Sequence, residues 1–81
     1  MIYLAITPAG LAEALRAASP GDAVWCGSGA IDESAFAALR NPVLTRFTHG
    51  LDDADRVAAA LDTIEDHHPG ETVWVEATAS R

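Results

Sequence analysis

Short, uninterrupted apolar runs alternate along this chain with longer stretches in which apolar residues recur every three or four positions. Ile2-Tyr3-Leu4-Ala5-Ile6 is the first such run, and its continuous apolar character predicts a strand buried on both faces. Thr7 and Pro8 follow as helix N-cap and first helical residue, where proline's missing N–H costs nothing. Leu11, Leu15 and Ala18 then keep helical spacing until Ser19-Pro20-Gly21 ends the helix. Ala23-Val24-Trp25-Cys26 predicts the second strand. Asp32 caps the next helix, with Ile31 and Phe36 suited to a hydrophobic staple across the cap. Phe36 and Leu39 are expected on its inner face before Asn41-Pro42 stops it. Val43-Leu44-Thr45-Arg46-Phe47 alternates in character, as a strand at a sheet edge does. The longest helix starts at Asp52 or Asp53 and turns Val57, Ala60, Leu61 and Ile64 inward. His67 and His68 fall in its last turn, and Pro69-Gly70 ends it. Thr72-Val73-Trp74-Val75-Glu76 reads as the last strand. Residues 1–77 are expected to form one α/β domain and 78–81 a frayed tail.

The order βαβαβαβ implies a four-stranded parallel sheet with right-handed crossovers and helices on both faces. The first strand is the most apolar and belongs inside; the third and fourth, carrying Arg46 and Glu76, belong at the edges. Strand order 3-2-1-4 fits this best, with 2-1-3-4 as the alternative. Either order puts two helices on one face and one on the other. Four strands span about 19 Å, whereas one helix covers roughly 10–12 Å. The single-helix face is therefore expected to be half bare and to be buried by a partner, either a second copy of the chain, the simplest case, or another protein. Trp25 and Trp74, both on strands, are the candidate interface residues.

Composition narrows the partners. The net charge is −7, and five arginines with no lysine are scattered among twelve carboxylates. Nucleic acid and anionic membrane surfaces are disfavoured, since both require clustered cations. No apolar run approaches the ~18–20 residues of a membrane span, the start MIYLAI carries no basic leader, and a lone cysteine cannot form an internal disulfide. The expected setting is cytoplasmic.

Candidate chemistry gathers at the carboxyl ends of the strands, where open α/β sheets bind ligands. Thr7, Cys26, Gly27, Ser28, Gly29 and His49 all fall on that rim, with Glu76-Ala77-Thr78 beside them. Gly27-Ser28-Gly29 lacks the Lys-Ser/Thr of a phosphate loop, and no GxGxxG follows the first strand. Asp32 and Glu33, and then Asp52, Asp53 and Asp55, occupy the starts of the second and third helices, leaving only the Thr7 loop free of acid. Cys26 is a candidate nucleophile with His49 as base and the Gly-Ser-Gly amides as anion donors. Against it stand the missing CX5R arginine and the nearby Asp32, which raises a thiol pKa. His67 and His68 face about 100° apart on a helix, and His49 lies at the other rim, so no three-histidine metal site is expected. The remaining carboxylates read as helix-start signals and a solvated face.

No motif carries a family signature, and the element order is shared by small sulfur-relay proteins and response-regulator-like domains without transferring their functions. The sequence thus points to a small acidic, non-catalytic interaction module that self-associates, with no cofactor and no metal. The alternative is a thiol-dependent enzyme or sulfur carrier built on Cys26.

Overall fold

The computed structural model describes residues 1–41 and 43–76. Its elements run β1 (Ile2–Ala5), α1 (Pro8–Ala17), β2 (Ala23–Cys26), α2 (Glu33–Leu39), β3 (Leu44–Arg46), α3 (Ala54–His67) and β4 (Val73–Val75). All neighbours in the sheet are parallel, and the strand order is β3-β2-β1-β4. The expected architecture and the first of the two expected orders are both present. The proposed tail, 78–81, and Ala77 lie outside the described residues.

Each helix starts where the sequence supplies a cap. The Thr7 hydroxyl accepts from the Gly10 amide, Asp32 from Ala35, and Asp53 from Arg56. Gly21 (φ 96°) and Gly70 (φ 76°) take the left-handed conformation in the turns after α1 and α3. β2 has the expected bounds, whereas β1, β3 and β4 are a residue or more shorter than their apolar runs. β1 ends at Ala5 because the Ile6 amide turns to a side chain, described below. At β3 and β4 the ladder bonds continue past the strand ends: Phe47 N–H donates to the Cys26 carbonyl and Glu76 N–H to the Leu4 carbonyl.

Two apolar clusters sit on the two faces of the sheet. On one face Ala5, Val24, Cys26 and Leu44 pack under Leu11 and Ala14 of α1, with Phe36 of α2 and Tyr3 at the margin. On the other, Ile2, Leu4 and Trp25 pack against Ala60 and Ile64 of α3, with Leu51, Phe47, Val73 and Val75. The staple residues Ile31 and Phe36 both join the first cluster. Leu39 does not: it is 44 % exposed rather than inward-facing. The helix is only seven residues long and ends at Leu39, followed by the left-handed Arg40, so no further turn follows to enclose Leu39.

Coverage of the sheet is the main departure from expectation. The single-helix face is not half bare. Trp25, expected at an interface, is 6 % exposed and fills the space beside α3. Its ring lies 5.3 Å from Phe47, 5.4 Å from His67 and 6.2 Å from His68, centroid to centroid. A width calculation that counts only helices misses this, because an indole and the Phe47–Leu51 connection cover the area of a missing helix. A groove beside α3, lined by Leu51, Val57, Leu61 and Val75, remains on the single-helix face, and another opens on the two-helix face. α1 and α2 lie on the crossovers from β1 to β2 and β2 to β3, so neither reaches over β4. Trp74 of β4 is 37 % exposed there.

Candidate functional site

The carboxyl rim is assembled, but its groups are committed to one another. Glu76, one residue past β4, reaches across to the start of α1. Its Oε1 accepts from the Ile6 amide at 2.6 Å and the Thr7 amide at 2.8 Å, and its Oε2 accepts from the Thr7 hydroxyl at 2.5 Å. Partial desolvation alone pushes this carboxyl up, but the hydrogen bonds from the Thr7 hydroxyl, the Thr7 amide and the Ile6 amide outweigh it and hold the carboxyl below its usual value. The one helix start that carries no acid of its own is thus filled by an acid from the adjacent strand. Gly10 makes the approach possible: a Cβ there falls 2.0 Å from Glu76 Oε1. The sequence puts Thr7-Pro8-Ala9-Gly10 and Glu76 on one rim, but the need for glycine at position 10 was not legible, because the carboxylate it accommodates is 66 positions away.

The glycine-rich loop after β2 is used in the same way. Gly27 N–H donates to the Ala5 carbonyl, Ser28 N–H to the His49 carbonyl and Ala30 N–H to the Gly27 carbonyl. Gly27 is required by close approach, since a Cβ there meets the Leu51 side chain at 2.8 Å and its amide nitrogen at 3.1 Å. Of the three Gly-Ser-Gly amides expected to serve a developing anion, those of Gly27 and Ser28 are already held by backbone carbonyls.

Cys26 is fully buried in the cluster under α1 and α2. Burial pushes its thiol up to about 11, with Arg46 pulling only weakly the other way. His49 stacks at 5.6 Å on Phe47, which belongs to the cluster on the opposite face, and its Nδ1 lies 3.2 Å from the Gly50 carbonyl. The fold brings Cys26 and His49 to one rim but puts their side chains on opposite faces of the sheet. The thiol gains neither a base nor access. Arg46, the cation nearest the loop, donates through Nε to the Ile31 carbonyl at 2.8 Å.

The other ionisable groups are ordinary surface pairs. His67 Nδ1 lies 2.9 Å from the Thr63 carbonyl, and His68 Nδ1 lies 3.3 Å from Glu71. Arg56 sits 3.7 Å from Asp52 and 3.8 Å from Asp53. Among the described residues no three His, Cys, Asp or Glu side chains converge as a metal site needs. No helix among them is long and apolar enough to cross a membrane.

One surface is not committed. Between α1 and β4 lies an open groove of about 460 Å³, lined by Met1, Tyr3, Glu13, Arg16, Ala17 and Trp74 among others. Tyr3 and Trp74 form its floor, their rings 5.8 Å apart and tilted by 56°. Glu13 and Arg16 lie 3.7 Å apart on its wall, so the acidity of the chain is interrupted here. Trp74 was read from the sequence as an interface candidate; Tyr3, Met1 and the α1 wall were not, since only the strand order brings them beside it. Comparison with protein-family models, curated proteins and solved structures gives no match.

Proposed function

We propose that this protein is a non-catalytic interaction module that works by self-association, and that the Tyr3–Trp74 face between α1 and β4 is the surface a second copy docks on. The observation that carries the proposal is Trp74. It is a large aromatic, 37 % exposed, on an edge strand, Val73-Trp74-Val75, that has no charged side chain. Natural edge strands are guarded by charges, prolines or bulges, and this one has none within it. Aromatic residues in the middle of a locally neutral patch dominate protein interfaces. Support also comes from the rest of the rim, where the amides, the carboxylate and the thiol that catalysis needs are already engaged or buried.

Sedimentation velocity between about 1 and 500 µM, a range spanning weak homodimers, tests the proposal. The expected result is a concentration-dependent shift toward a dimer, and a Trp74→Ala chain whose dissociation constant is raised about 30-fold or more. A wild-type chain that sediments as a monomer throughout that range overturns self-association.

A further inference from the structure

The backbone of β4 indicates how two copies meet. In the β1–β4 pair, Ile2 N–H donates to the Thr72 carbonyl and Glu76 N–H to the Leu4 carbonyl. Backbone groups in a parallel strand point alternately to its two sides. The Thr72, Trp74 and Glu76 groups therefore face β1, while the N–H and C=O of Val73 and Val75 face outward, where no described residue bonds them. The Val73 and Val75 side chains pack on the α3 face, and Trp74 stands on the other.

Resting on the self-association reading above, we infer that two copies join edge to edge through β4, antiparallel about a twofold axis at Trp74, making one continuous sheet. Within an isologous pair this is the register that matches the outward groups of Val73 and Val75 with each other. Val73 of each chain lies opposite Val75 of the other, and such a pair exchanges both of its N–H···O bonds. Trp74 then faces its own copy at a non-bonded position, where facing side chains come closest. Charge agrees with this register: Thr72 lies opposite Glu76, and no carboxylate faces another across the joint. Space agrees as well. The two β1 strands come to lie about 14 Å apart across the joint, and α1 of each chain flanks one trough floored by both Tyr3–Trp74 pairs. Arg16 on each wall is then placed over an aromatic floor that suits a guanidinium.

The other edge fits less well. β3 turns the backbone groups of Leu44 and Arg46 outward, carries the charged Arg46, follows a proline in sequence and has no aromatic residue at its centre. With a three-residue strand on each side the β4 joint falls at the small end of specific interfaces, the range of weak and transient association.

Amide hydrogen exchange on the full chain tests the geometry separately from the association. At a concentration where sedimentation shows nine-tenths dimer, the Val73 and Val75 amides should exchange about tenfold slower than in dilute monomer, because exchange is confined to the free tenth. The Trp74 amide, already bonded to β1, should not change. In Trp74→Ala at the same concentration, a dissociation constant raised about 30-fold leaves roughly two-fifths of the chains free, so the Val73 and Val75 amides should slow only about twofold. A dimer by sedimentation with unchanged Val73 and Val75 exchange overturns edge pairing but leaves self-association standing. Slow exchange of these two amides in dilute monomer shows that the chain satisfies its own edge, and also overturns the pairing. A chain monomeric at every concentration overturns both.

Discussion

At the scale of single residues, the tightest coupling in the molecule joins Glu76 to Gly10. Glycine inside a helix costs roughly 0.5–1 kcal/mol relative to alanine, and here α1 accepts it so that a carboxylate can reach the helix start. The consequence is a change of sign. Gly10→Ala should destabilise the wild-type chain by about 1–3 kcal/mol by displacing Glu76, yet stabilise a Glu76→Ala background by up to ~1 kcal/mol. Chemical denaturation of the four chains checks this, and equal effects of Gly10→Ala in both backgrounds refute the coupling. The pH dependence follows from the same contact. The folded carboxyl titrates below its unfolded value of 4.5, so its contribution is complete above that value and disappears as pH falls through the lower folded one. Glu76→Gln should remove this part of the acid destabilisation, measured as urea midpoints from pH 6 down to about 3. Cys26 behaves in the opposite sense. With its thiol raised to about 11, the native chain favours the neutral form, so stability should fall as pH rises from the unfolded value of 9.0 toward 11. In the native state at pH 8, iodoacetamide should modify Cys26 only as fast as the chain opens. A rate near that of free cysteine contradicts the burial.

At the scale of elements, the helices differ in how firmly they are held. α1 buries Gly10, Leu11 and Ala14, and α3 buries Ala60 and Ile64, but α2 buries none of its residues. It is attached by the half-buried Phe36, by its Asp32 cap and by the Arg46 bond to Ile31. Its amides should exchange faster than those of α1 and α3, and faster again in Arg46→Ala. Its end is strained as well. Arg40 sits at φ 51°, ψ 39°, where a side chain costs about 1–2 kcal/mol, so Arg40→Gly should raise the melting temperature while leaving the fold intact. Element order, caps and edge strands were all legible in the sequence, because they depend on neighbours within a few positions: Thr7 with Pro8, Asp32 with Phe36, Pro69 with Gly70. Leu39 was misread because periodicity marks which way a residue faces only while the helix stays on the sheet. Glu76 was placed on the rim, but its role as a cap was not legible, for a different reason. Its partners belong to β1 and α1, and a strand-end carboxylate gives no local sign that it will cap another element's helix.

At the scale of the whole molecule, the same total of apolar surface is distributed differently from what counting helices implies. The two tryptophans, equivalent in the sequence, have opposite fates because strand order gives one a central strand and the other an edge. Trp25 on β2 is enclosed by Phe47, Leu51 and the end of α3, and Trp25→Ala should cost about 3–5 kcal/mol at any protein concentration. Trp74 on β4 has Tyr3 as its one aromatic neighbour among the described residues and stays 37 % exposed, so its stabilising contribution should grow as the chains associate. Mass action makes this measurable: anything that binds the folded chain and not the unfolded one raises the melting temperature with concentration. The wild-type chain should melt several degrees higher at about 500 µM than at 5 µM, and so should Trp25→Phe, with the dependence intact on a lowered baseline. In Trp74→Ala the onset of that rise should move to about 30-fold higher concentration, with the low-concentration melting temperature close to the dilute wild-type value. If Trp74→Ala is instead destabilised at low concentration as severely as Trp25→Ala, the indole belongs to the core of its own chain, and the open face between α1 and β4 has no partner to explain.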